Sequence, residues 1–121
     1  MQFDPVPFVA IALGGFFGSI LRYGIDEQVV SLEGTLLVNT LGCFGMGIFM
    51  YEAMYLGRFG RTTRLFFAVG MIGSFTTFSA LAVQTFSAGV LIGSLNIVAN
   101  VFFGFLGIAA GRHVILHQRG I

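Results

Sequence analysis

The sequence predicts an all-α membrane protein of four transmembrane helices with a break in the third, and three observations lead there. Of 121 residues, 56% are hydrophobic and only 9% charged, where a soluble domain carries about 25% charge. Residues 65–111 hold no charge at all, enough chain to cross a bilayer twice at about 20 residues per crossing. Inside that run stands Gly70-Met71-Ile72-Gly73-Ser74-Phe75-Thr76-Thr77-Phe78-Ser79. Backbone leaves a helix at membrane depth only where protein or a wet cavity surrounds it, so glycines and hydroxyls there predict a break and a site.

Four crossings with short loops fill residues 1–121 as one transmembrane domain, with no room for a soluble one. The first span is expected over residues 6–23. Pro5 and Pro7 stand where a helix start tolerates them, and Gly14-xxx-Gly18 lets helices approach closely. Arg22 closes the span at snorkelling depth, either as an interface anchor or as a charge guarding an entrance. Met1 to Pro7 lack a basic n-region, so the first apolar run is read as mature protein.

The second span is expected over residues 35–55. Asn39 is its one strongly polar residue at depth, fit for interhelical hydrogen bonding or for a site. Glu52 falls near the exit and is expected at the interface. The third span, over residues 65–91, is too long for one untilted helix, and its 73–79 stretch suggests two half-segments. The fourth is expected over residues 95–115. There Asn96, Asn100 and Gly104 share one face at i, i+4 and i+8, either as helix glue or as a polar pathway. His113 and His117 have an i, i+4 spacing, but two histidines without a third ligand read as headgroup-facing residues.

Charge sets the expected orientation. Arg58, Arg61, Arg64, Arg112 and Arg119 fall on one side of a four-span chain. The other side holds Arg22 with Asp26, Glu27 and Glu33. Arginine excess marks the cytoplasmic side, so both termini are expected in the cytoplasm of a multi-pass cell-membrane protein.

Several functions drop out. A net charge of +1 without a dense basic cluster argues against nucleic acid. Cys43 is alone, which excludes a disulfide framework and a cysteine zinc site. No nucleophile–base pair or phosphate loop appears, so an enzyme is not expected. A proton-coupled exporter of the small multidrug resistance kind needs a titratable carboxylate inside the membrane, and the first span has none before Arg22. A passive pore for a small ion needs only polar groups that replace hydration along a narrow path. Asn39, Thr76, Thr77, Ser79, Asn96 and Asn100 are of that type, and they suit an anion or a cation.

Three segments carry a resemblance: Gly14-Gly15-Phe16-Phe17-Gly18-Ser19-Ile20-Leu21-Arg22-Tyr23, Gly34-Thr35-Leu36-Leu37-Val38-Asn39-Thr40-Leu41-Gly42 and Gly73-Ser74-Phe75-Thr76-Thr77-Phe78-Ser79. In order and spacing they resemble the signature segments of the Fluc (CrcB) fluoride-specific ion channels, over almost the whole chain. The resemblance implies an antiparallel, dual-topology dimer that passes fluoride out of the cytoplasm down its gradient and relieves its toxicity. It implies a fluoride path lined by Asn39 and Phe78, to which the residues add Thr77, Ser79, Asn96, Asn100 and Arg22. It also implies a structural sodium ion at the dimer centre, held by the backbone carbonyls of Gly73 and Thr76.

The chain departs from that pattern just past the third segment. The family usually reads Thr-Thr-Phe-Ser-Thr-Phe, and here Ala80 and Leu81 replace the last hydroxyl and the second phenylalanine. Together with the one-sided arginines, this favours a heterodimer with an oppositely oriented paralogue over a homodimer. A non-conducting structural subunit is the other reading.

Overall fold

The computed structural model describes residues 3–29 and 31–120. Its elements are α1 (Val6–Gln28), α2 (Leu32–Tyr55), α3 (Arg61–Arg64), a π-helical segment (Leu65–Ile72), α4 (Gly73–Phe75), α5 (Phe78–Ser87) and α6 (Gly89–Arg119). The described residues are helix, turn and connecting chain, with no strand among them. Val6–Gln28, Leu32–Tyr55, Arg61–Ser87 and Gly89–Arg119 are long and apolar enough to cross a membrane. This is a multi-pass membrane protein.

Small residues decide which helices pair. Ala10, Gly14 and Gly18 are the buried positions of α1, spaced to form one stripe. That stripe lies against the π-helical segment, where a Cβ on Gly14 or Gly18 would collide with the carbonyl oxygens of Phe66 and Met71. A second seam joins α2 to α6. There Gly47 from α2 abuts the backbone of Ile108, Gly107 from α6 abuts the backbone of Thr40 and Phe44, and Gly111 abuts Phe44, Gly47 and Ile48. In hydrocarbon, close backbone packing of this kind holds helices together where apolar burial offers little. Within each pair the helices run parallel, since the matched positions advance together along both.

α2 runs antiparallel to the third span: Gly42 meets Thr76, Gly45 meets Ile72, and the rings of Phe49 and Phe67 stack at 5.4 Å. One end of the bundle therefore gathers the start of α1, the 57–60 loop, α3 and the ends of α2 and α6. Glu52 organises that end. It is only 2% exposed, accepts the N–H groups of Arg58 and Phe59, and lies 3.8 Å from Arg64 Nε. The expected interfacial carboxylate is instead turned inward and spent on the loop.

The helices overrun the expected spans. α1 continues to Gln28, so Arg22 lies well inside it and is half-buried. The third crossing gives way to the fourth at Ala88–Gly89, ahead of the expected 92–94 connection. Gly89 has φ +80°, a left-handed conformation that costs glycine nothing. Val90–Ile92 are apolar enough for either helix, so hydropathy alone could not locate this turn.

Candidate functional site

The helical ladder stops at two residues. Thr76 (φ −75°, ψ 158°) and Thr77 (φ −145°, ψ 124°) are extended between α4 and α5. An extended pair inside a bundle must find partners for its amides. Asn39, from α2, supplies them: its Oδ1 accepts the Thr77 N–H at 2.8 Å, and its Nδ2 donates to the Thr77 carbonyl at 3.0 Å. The side-chain amide thus stands in for a neighbouring strand. Thr77 Oγ1 then caps α5 by accepting the Ala80 N–H at 3.2 Å, as an N-cap hydroxyl does.

From Asn39 a chain of uncharged contacts leads onto α6. Asn39 Nδ2 donates to Asn100 Oδ1 at 3.0 Å. Asn100 Nδ2 donates to the Asn96 carbonyl at 3.0 Å and to Asn96 Oδ1 at 3.1 Å. Asn96 Nδ2 donates to Thr85 Oγ1 at 3.2 Å. Asn96, Asn100 and Thr77 are buried. Ser79 Oγ joins at 3.3 Å from Thr77 Oγ1.

A groove of about 340 Å³ runs beside this chain, lined by Asn39, Cys43, Thr76, Thr77, Phe78, Leu81, Asn100 and Val101. Phe78 is 81% exposed at its edge. A larger groove of about 460 Å³ between α1 and the third span, among Val6, Val9, Leu13, Phe66 and Phe67, is almost wholly apolar. Only the smaller one offers an ion polar contacts.

The structure brings together Asn39, Thr77, Ser79, Asn96 and Asn100, and places Phe78 on the same groove. Arg22 lies apart from that chain, on the other side of the extended pair, with Nη1 3.5 Å from the Thr76 carbonyl. Sequence reasoning missed Thr85. Its signal was a hydroxyl in the short polar cluster Gln84-Thr85-Phe86-Ser87, a helical hairpin away from Asn96. The Asn39 amide also has less to give than expected. Both of its N–H donors are engaged, on Thr77 and Asn100, and a side-chain amide has only two.

The same break leaves carbonyl oxygens without helical donors. The Thr77 N–H points at Asn39, so the Gly73 carbonyl loses its usual i+4 donor. Thr76 is extended and its carbonyl meets only a long contact from Arg22. Neutral carbonyl oxygens freed from the ladder are of the donor type that fits a small hard cation.

Four apolar crossings around an uncharged, hydrogen-bonded polar path define a membrane protein of the channel class. The match to known proteins is specific. A model of the CrcB-like protein, Camphor Resistance (CrcB) family matches residues 9–112, and the chain belongs to that family. It is 48% identical to a protein of Methanospirillum hungatei named fluoride-specific ion channel FluC 1, across 98% of this chain and 85% of that one. Two proteins of Methanosarcina barkeri also match. FluC 2 is 42% identical over 87% of this chain and 83% of its own length. FluC 3 is 35% identical over 88% and 87%.

Proposed function

We propose that this chain is a subunit of a passive, fluoride-selective channel that exports fluoride from the cytoplasm, working in an antiparallel pair across the cell membrane. The observation that carries the reading is the uncharged chain Thr77–Asn39–Asn100–Asn96–Thr85 beside an open groove, in a chain of the CrcB family. Fluoride loses a very large hydration energy on leaving water. Several weak donors together offset that loss without trapping the ion. The donors with capacity to spare are the hydroxyls of Ser79 and Thr85 and the second N–H of Asn96. Asn39 holds the extended pair in shape and reaches an anion by exchanging its bond to Asn100. The edge of the Phe78 ring adds the positive rim of the aromatic quadrupole.

The interruption at Thr76–Thr77 is the centre of the assembly in this reading. It frees the carbonyls of Gly73 and Thr76, and a second, inverted subunit supplies the opposite half of the sodium cage. When bound there, sodium would supply positive charge between the two halves. Because backbone oxygens would be the ligands, Thr76→Ser is expected to leave sodium-dependent assembly intact, as read by cross-linking. The arginine-rich end is read as cytoplasmic, which puts both termini there.

The test is fluoride efflux from liposomes carrying the assembled channel, followed with a fluoride electrode beside a chloride control. Flux of fluoride without chloride is expected, and Asn39→Asp in this chain is expected to cut it at least tenfold. One observation favours a second reading, a non-conducting partner subunit. Leu81, an aliphatic side chain, lines the groove where the resembling channels have a second phenylalanine. Unchanged flux in the Asn39→Asp assembly would select that reading.

A further inference from the structure

We propose that the seam between the ends of α2 and α6 binds the headgroups of anionic phospholipids. Tyr51 and Tyr55 stand one turn apart on α2 with rings stacked at 6.0 Å and 9°. On the facing α6, Arg112 and Arg119 stand two turns apart. Their guanidinium carbons lie 5.7 Å over the Tyr51 ring and 5.3 Å over the Tyr55 ring. A guanidinium held over a ring face is fixed in place, yet its N–H fork stays free for an anion. Two such shelves side by side form a built surface, unlike arginines that merely reach for water.

Nothing described in the protein neutralises them. The ion pair among the described residues is Arg64 with Glu52, and Glu52 is buried in its loop. Asp4, at the same end, accepts the Val6 N–H. Arg58 and Arg61 are exposed in the adjoining 57–61 stretch and add two more guanidiniums without acidic partners among the described residues. The anion must come from outside, and a phosphate matches the arginine fork in charge and geometry.

Position selects lipid over free phosphate. The seam ends two membrane-length helices, at the depth where tyrosines meet headgroups and basic clusters between helices recognise anionic lipids. Met54 and Val114, on the same turns, are 66% and 38% exposed. They offer acyl chains an apolar wall that inorganic phosphate cannot use.

Thermal unfolding of the full chain in mixed micelles tests this. Phosphatidylglycerol is expected to raise the midpoint by several degrees, while phosphatidylcholine and inorganic phosphate leave it unchanged. Arg112→Gln with Arg119→Gln is expected to remove at least half of that rise. Should this variant not fold, Arg112→Lys with Arg119→Lys keeps the charge, loses the ring-stacked fork and is expected to show a smaller rise. An undiminished rise in whichever pair folds would overturn the proposal, as would inorganic phosphate reproducing the rise. No ion flux enters the measurement, so the outcome stands apart from the fluoride reading.

Discussion

At the scale of single residues, Asn39 bears the most. Its amide closes the hydrogen bonding of Thr77 on both sides and touches Asn100 with the donor that remains. Asn39→Leu would strand the Thr77 N–H and carbonyl and the side-chain Oδ1 of Asn100, at roughly 1–3 kcal/mol for each buried group. The melting midpoint in detergent is therefore expected to fall by several degrees, alongside the loss of flux. Asn39→Asp keeps the acceptor for the Thr77 N–H but sets a carboxylate against two oxygens, so it too is expected to melt lower. A variant that lost flux at an unchanged midpoint would assign Asn39 to ion contact alone. The sequence made Asn39 conspicuous as an amide at membrane depth, and Asn96 with Asn100 as one helical face. It could not show that Asn39 spends its donors inside the protein, because that depends on which helix lies opposite. Glu52 was misjudged for the same reason: its partners are the N–H groups of a loop that turns back over it.

Among the elements, the glycine stripe of α1 makes the sharpest contrast. Gly14 and Gly18 touch the backbone of the third span, whereas Gly24 has nothing within 4 Å of a built Cβ. Gly18→Ala must push α1 away from Met71. Overpacking of this kind costs about 1–3 kcal/mol and carries Arg22, one turn further on, away from the Thr76 carbonyl. Gly24→Ala is expected to be neutral or slightly stabilising, since alanine suits a helix better than glycine. Paired melting curves for the two variants check this, and equal midpoints would remove the stripe's role. Small-xxx-small spacing made the stripe legible as a packing surface. The partner was not legible, nor was the turn at Ala88–Gly89, since Gly93-Ser94 four residues on offers a competing turn signal across the apolar Val90–Ile92.

For the molecule as a whole, the question is what meets the face that carries Phe78, Phe86, Val90 and Leu91, which are 81%, 91%, 90% and 75% exposed. Lipid alone would satisfy Phe86, Val90 and Leu91. Phe78 is different, because it borders a polar groove that hydrocarbon cannot fill favourably. In the proposed channel an inverted second subunit would cover that groove, and two properties of the chain bear on which subunit it would be. Five of the six arginines gather at one end, which orients the chain strongly, whereas an antiparallel homodimer needs insertion both ways. Leu81 also lacks the ring edge that a phenylalanine would bring. The chain reconstituted alone is therefore expected to give little fluoride efflux, and co-expression with an oppositely biased relative is expected to restore it. Leu81→Phe separates the two causes. If the missing ring limits flux, this variant alone should conduct measurably; if orientation limits it, the variant should stay silent until the partner is supplied. Robust efflux from the unmodified chain would set both causes aside and establish a homodimer.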